Sequence, residues 1–259
     1  MKKSIQIIAT ALVILLGNVG FSQVDSIYIV KGDSVLAVYA TTDVDSVIFY
    51  NPNPIDTTTN STITDADGNV YTSVTIGTQE WMVENLRTSK YSDGTSIPNV
   101  TSNTEWGGFG STGAWCHYDN DSSQYEATYG KLYNWDAVET GKLCPTGWHV
   151  PTDAEWTVLT DYVASDGHNG TDGLALKATS GWNWSSDGTD DYGWLGLPGG
   201  RRTMLGNFEN FGYGGYWWSS SEKANTYDAW YRSLWNYDDY VYRNDFYTEY
   251  GFSVRCLRD

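Results

Sequence analysis

Basic side chains are scarce in this 259-residue chain: 15 Lys and Arg stand against 32 Asp and Glu, a net charge of −17. A nucleic-acid-binding surface has to neutralise phosphates, and this balance repels them, so nucleic acid is excluded as a partner. Cysteine is scarce as well. Three Cys, an odd number, allow at most one intramolecular bridge. Histidine is limited to His117, His149 and His168, which are far apart in sequence. The neighbouring pair Cys116 and His117 does not make a metal site, because adjacent residues on a strand point to opposite sides. No metal and no cofactor are therefore expected. Apolar runs are short, the longest being residues 7–16, against the roughly 20 residues that a membrane-spanning helix needs. Aromatic residues and glycine are abundant instead: 13 Trp, 20 Tyr, 7 Phe and 27 Gly. A disordered acidic chain lacks aromatics and cannot offset the entropy of ordering, so this chain is expected to fold around a sizeable core.

Residues 1–22 have the order of a secretory signal peptide: Lys2 and Lys3, the apolar run, then small and turn-forming residues with Gly20 ahead of a cut after Ser22. The leader carries no Cys that could accept a lipid. Its removal takes two Lys and no acid, which moves the net charge from −17 to −19. The protein is expected to be secreted, extracellular or in the cell envelope, and not inserted in a membrane once the leader is gone. An oxidising compartment permits a disulfide. Cys144–Cys256 and Cys116–Cys256 are both open to it.

Residues 23–50 carry three strand-like runs around Ile29, Val38 and Ile48, a short β segment too small to own a core. Residues 51–64 are rich in Pro and Thr and read as a linker. Residues 65–259 form the main domain. It opens on Asp65-x-Asp67-Gly68, which resembles a calcium loop in outline but lacks the further alternating ligands and the closing Glu, so a hairpin turn is expected. A helix is expected over 128–139, with Thr128 as cap and Gly141 as stop. A second starts on Thr152-Asp153-Ala154-Glu155, a capping box, with Trp156, Leu159 and Val163 on one apolar face. A short third helix falls near 173–178. Residues 181–202 hold six Gly and three Trp, which describes long loops clamped by Trp182, Trp184 and Trp194. Strand-like runs separated by polar turns follow. The class is α+β, with two main helices, a twisted antiparallel sheet and long Gly/Trp-rich loops behind the small β segment.

The stretch 227–250 contains seven Tyr, two Trp and one Phe, interleaved with Asp, Asn, Ser and Thr. Tyr and Trp supply contact area at low entropic cost and short polar side chains supply adaptable hydrogen bonds, the balance found in antibody paratopes. Strand alternation puts Tyr231, Ser233 and Trp235 on one face and Trp230, Arg232 and Leu234 on the other. One face should pack on the core and the other display aromatics. The candidate ligand-binding residues are Tyr231, Ser233, Trp235, Tyr237, Asp239, Tyr240, Tyr242, Asn244 and Tyr247. No catalytic residues stand out: Ser219-Ser220-Ser221 lacks the flanking glycines of a nucleophile elbow.

Six blocks, in order TDADGNVYTSVTIGTQEWMVENL, YGKLYNWDAV, LCPTGWHVPTDAEWTVL, GLPGGRR, GYWWSSSE and YGFSVRCLRD, resemble those of the Fibrobacter succinogenes major paralogous domain, over residues 65–259. The resemblance implies a C-type-lectin-like fold of the formylglycine-generating type, whose shared features correspond to Pro151 to Trp156 and Gly251 to Cys256. Asp45-Ser46-Val47-Ile48-Phe49 is similar to the short β-repeats found ahead of such domains. The family has no general established activity. Formylglycine-generating enzymes use two closely spaced Cys near the C-terminus, where this chain has only Cys256, and the iron-dependent branch needs a His cluster that is absent here. The resemblance also implies binding through the late sheet and loops, a region that retroelement-driven mutagenesis diversifies in some similar domains. The Glu-Pro-Asn type triplet of calcium-dependent sugar binding is missing, which puts a surface-protein ligand ahead of a glycan. The expectation is a non-enzymatic recognition or adhesion module. The alternatives are a structural cell-surface protein and, third, an enzyme related to the formylglycine-generating group.

Overall fold

The computed structural model describes residues 63–108, 112–224 and 226–259, apart from the side chain of Ser185, and the backbone of four strands before them. The chain divides into two compact units, Met1–Ser61 and Thr62–Asp259.

In the first unit, β1 (Lys3–Ile8) pairs in parallel with β4 (Val44–Tyr50), and β2 (Ser26–Lys31) pairs antiparallel with β3 (Ser34–Ala40). Ile29, Val38 and Ile48, the centres of the three expected runs, lie in β2, β3 and β4. β1 falls inside the segment read as a leader. The remainder of that leader, the turn at 32–33 and residues 51–62 of the linker lie outside the described residues.

The second unit is α+β and rich in short strands. Its elements are β5 (Ile63–Thr64), β6 (Val70–Tyr71), β7 (Ser73–Ile76), β8 (Gln79–Met82), α1 (Asn103–Gly108), β9 (Trp115–Cys116), α2 (Ser122–Tyr129), β10 (Leu132–Tyr133), α3 (Trp135–Glu139), β11 (Trp148–His149), α4 (Asp153–Val163), α5 (Asp172–Leu176), β12 (Gly199–Arg202), β13 (Phe208–Phe211), β14 (Gly214–Glu222), β15 (Asp228–Trp235), β16 (Tyr242–Tyr247) and β17 (Leu257–Arg258). In place of one twisted sheet there are a four-stranded sheet in the order β11-β17-β8-β7, a three-stranded antiparallel sheet β14-β15-β16, and the strand pairs β5-β6, β9-β10 and β12-β13.

The β5–β6 hairpin begins two residues inside the expected linker. Its turn is closed by Asp65, whose carboxylate accepts from the amides of Asp67 and Asn69, from Asn69 Nδ2 and from the Tyr71 hydroxyl at 2.6–2.9 Å. Those oxygens are engaged inside the hairpin, which is what an Asx-type turn does with them.

The helix expected over 128–139 is two helices. Gly130 takes φ +72 at the end of α2, Lys131 to Tyr133 run extended into β10, and Asn134 caps α3 by accepting from the Ala137 amide. Thr128 is thus inside α2. The second expectation matches in detail: Thr152 and Glu155 make the reciprocal capping box of α4, and Trp156, Leu159 and Val163 are buried. Thr152→Ala should cost about 1 kcal/mol and lower Tm by roughly 2–4 °C, a shift that thermal unfolding followed by circular dichroism resolves.

Residues 251–259 hold these pieces together. Gly251 bridges Arg202, Phe252 bridges Tyr133 and Ser253 bridges Trp217. The Leu86 and Met82 amides donate to the Val254 and Cys256 carbonyls, and β17 sits between β11 and β8. The Phe252 ring is packed 4.2 Å from Trp218 and 4.8 Å from Tyr231. On the other side of the segment Arg255 is fully buried, its guanidinium 4.0 Å from the Trp194 ring centre and donating to Asn85 Oδ1 at 2.8 Å. Trp81, Trp156, Trp194 and Trp217 form the core around it. The disulfide joins Cys144 to Cys256. Cys116, the other candidate, is a buried free thiol whose pKa is pushed up to about 12 by that burial.

Candidate functional site

The late aromatic stretch forms β15, a turn at 236–241, and β16. β15 is the central strand of its sheet, so its two faces meet different surroundings. Tyr231 and Ser233 are buried, Tyr231 against Phe252 and the Trp218 edge. Leu234, from the opposite face, belongs to the tryptophan core. The expected division into one core face and one display face therefore fails along β15: Tyr231 and Ser233, expected on a display face, are buried in the core. Trp235 is half-buried on Tyr216 and stacks on Tyr237, with ring centres 5.3 Å apart.

Across β15 and β16 the register sets Arg232 opposite Arg243, a like-charge pair that would be unfavourable alone. Asp153, the first residue of α4, lies between them. Its Oδ1 accepts from Arg232 Nη1 at 2.7 Å, and its two oxygens accept from Arg243 Nε and Nη2 at 2.9 and 2.8 Å. Arg243 also lies 3.6 Å over the Trp230 ring. Burial alone would raise the Asp153 pKa, but Arg243 and Arg232 outweigh it and hold the carboxyl below its ordinary value. This clamp fixes the sheet against the helix and so fixes where the following turn projects.

The turn is organised by Asp238. Its Oδ1 accepts from the amides of Asp239 and Tyr240 at 2.7 and 3.3 Å, and the Tyr242 hydroxyl donates to its Oδ2. That bond, followed by partial burial, pushes the Tyr242 phenol up to about 12. The turn docks on α5: the Leu174 amide donates to the Asp239 carbonyl at 3.1 Å, and the Val241 amide to Asp172 Oδ2 at 3.2 Å. Gly173 makes the docking possible, because a Cβ there would come within 2.5 Å of the Tyr240 carbonyl. Lys177 lies beneath. Its side chain is 2% exposed, and its ammonium donates to the carbonyls of Asp238 and Trp235 at 2.9 and 3.4 Å, with Asp239 Oδ1 3.7 Å away. Burial lowers its pKa against the pull of Asp239.

Between this turn, α5 and the loop that carries Ser186 and Asp187 lies an open cleft of about 560 Å³. Asn236, Tyr237, Asp238, Asp239 and Tyr240 form one wall. Tyr237 and Tyr240 are 66% and 51% exposed. Asn236 is buried, yet its Nδ2 makes no hydrogen bond. The Asn236 amide donates to the Tyr213 carbonyl, and the Tyr213 ring carries Trp184 edge-on at 5.2 Å. Trp184 is 76% exposed and held at φ +62. Trp182 and Trp194 are the buried clamps expected of this region, whereas Trp184 is not.

Of the nine expected residues, the structure gathers Tyr237, Asp239 and Tyr240 at the cleft, with Tyr242 bracing the turn behind them. Asn244 and Tyr247 are exposed on β16, away from the residues that line it. Lys177, Asp187 and Asn236 were missed. Lys177 had a signal, an isolated cation inside the apolar run GLALKA; Asp187, one acid among 32, had none. Among the described residues no group of three or more His, Cys, Asp or Glu could hold a metal ion, and no helix is long and apolar enough to cross a membrane.

The family model described as Fibrobacter succinogenes major domain matches residues 74–258. No curated protein and no solved structure matches the chain.

Proposed function

The chain belongs to the Fibrobacter succinogenes major domain family, and from that premise we propose that it is an exported recognition module that binds a partner through the cleft beside the 236–241 turn. The observation that carries this reading is a concave site of about 560 Å³, a volume usual for small-ligand sites, with exposed Tyr rings set on a turn that its own hydrogen bonds hold rigid. A rigid frame with adaptable polar and aromatic contacts lowers the entropic cost of association. The finer fold reading is C-type-lectin-like. It is supported by the capping-box start of α4 and by the G-F-S-V-R-C segment threading the core, the two places where the resemblance put its shared features. The leader-like order of residues 1–22 supports export, to the cell envelope or beyond it. We read the site as non-enzymatic because Asp238 is engaged in holding the turn and the Lys177 ammonium is buried against backbone carbonyls.

Arrays of glycans and of purified cell-surface proteins, probed with the full chain, test this. The Tyr237→Ala, Tyr240→Ala double variant should keep the wild-type Tm and lose at least tenfold in affinity for whatever the wild type binds. Equal binding by the double variant would place recognition elsewhere.

A further inference from the structure

The three-stranded sheet has an open edge, and we propose that two copies of this chain join there, β16 to β16, antiparallel about a two-fold axis through Asn244. β16 ends the sheet and pairs only with β15. One step beyond the last strand pair, Asp228 with Tyr247, the Thr248 amide donates to the Tyr227 carbonyl. Antiparallel strands alternate bonded and non-bonded pairs, so the even-numbered residues of β16 turn their backbone groups to β15 and the odd-numbered ones turn theirs outward. That outer side is closed at both ends: Asp172 Oδ2 takes the Val241 amide, and the Tyr247 carbonyl accepts from the Tyr250 amide. Between these ends the backbone N–H and C=O of Arg243 and Asp245 make no hydrogen bond among the described residues. Edge strands are ordinarily guarded by Pro, by a bulge or by repelling charge. β16 has neither Pro nor Gly, its register with β15 runs without a shift, and its two charges are of opposite sign.

The order of side chains along β16 selects the occupant. Pairing about Asn244 sets Arg243 opposite Asp245 of the second copy, and Asp245 opposite its Arg243. Each such pair exchanges both of its backbone bonds, so every open group of the two residues finds a partner. The side chains can follow. Asp153 takes Arg243 Nε and Nη2, and Lys223 takes Asp245 Oδ2, which leaves Arg243 Nη1 and Asp245 Oδ1 for the cross-strand ion pair. On the opposite face Tyr242 meets Phe246 of the second copy, and Asn244 meets its own equivalent, whose amide both donates and accepts. Other registers fail. A slip of one residue sends paired side chains to opposite faces, and a slip of two sets Asp245 against Asp245 or Arg243 against Arg243. The net charge of −17 repels a second copy at long range, so association needs opposite charges in direct contact, and this register supplies them. The contact uses the same patch on both chains, so it closes at a dimer. Nothing in this pairing depends on what the cleft binds.

Sedimentation equilibrium of the full chain over a concentration series, in about 0.15 M salt to screen the long-range repulsion, tests this. The mean mass should rise from that of one chain toward that of two, and no further. Hydrogen exchange at the Arg243 and Asp245 amides should slow over the same concentrations. Two charge reversals then test the register. Arg243→Glu sets acid against acid across the joint, and Asp245→Lys sets base against base, so each variant alone should dimerise about tenfold or more weakly than wild type. Mixed in equal amounts they should recover the dimer, because Glu then faces Lys and Arg243 of one variant faces Asp245 of the other. A variant that had merely misfolded could not be rescued by mixing. A wild-type chain that stays monomeric to its solubility limit overturns the proposal and leaves the edge to a strand of another protein. A dimer that survives both reversals, or a mixture that stays monomeric, overturns it as well.

Discussion

Replacing Cys144 and Cys256 together by Ala should produce the largest loss of stability of any change that spares the aromatic core. The bridge closes a loop of 112 residues in sequence, and in the chain-entropy account a loop of that length stabilises by about 4–5 kcal/mol. For a domain of this size that corresponds to a fall in Tm of roughly 10–15 °C. The local consequence is specific. Cys256 lies in the segment that carries the Val254, Cys256 and β17 pairings, so loosening it exposes the Met82 and Leu86 amides together. Hydrogen exchange in the double variant should accelerate at both amides, and calorimetry should show the lower Tm. An unchanged Tm would mean that the weave of backbone bonds alone holds the C-terminal segment.

Asp153→Ala should come second, at about 3 kcal/mol, because it leaves the buried Arg232 guanidinium without its carboxylate and sets it opposite Arg243 with nothing between them. The loss should exceed that of Arg243→Ala, since Arg243 is half exposed and its removal leaves Asp153 still paired with Arg232. The pH dependence follows from the depressed Asp153 pKa. A carboxyl with a lower pKa in the folded state adds stability above its unfolded value, ordinarily 3.8, and loses it as pH falls through the folded one. The Tm gap between wild type and Asp153→Asn should therefore be constant near neutrality and narrow below about pH 4. A gap that stays constant into acid would show that packing, and not charge, holds the clamp. Because the clamp sets the direction of the 236–241 turn, Asp153→Asn should also weaken ligand binding without touching the cleft.

Some elements were legible because their causes are local. The α4 capping box needs only Thr152 and Glu155 three residues apart, and the Asp65 turn needs only a carboxylate two and four residues from the amides it takes. The split of 128–139 into α2, β10 and α3 was missed because Gly130, which could have been an ordinary helical glycine, takes positive φ where the chain packs closely on Asn85 and Leu86, far back in the sequence. The same distinction separates the candidate residues. Tyr237, Asp239 and Tyr240 stand at the cleft because a polar turn between two strands has to project. Tyr231 and Ser233 were misplaced because alternation tells which residues share a face, and not whether a second layer covers that face. Here Phe252, only 21 positions further along the chain, returns through the core to cover it.

The sequence by itself determined the acidic balance, the family blocks, the helix start at Thr152 and the aromatic stretch that ends in the cleft. Each of these depends on composition or on residues within a turn of one another. Only the tertiary structure decided which Cys pair, which aromatics serve the core, and that Lys177, Asp187 and Asn236 meet around one concavity. Those outcomes rest on contacts between residues tens to more than a hundred positions apart, and such contacts are set by how short strands are gathered onto the C-terminal segment.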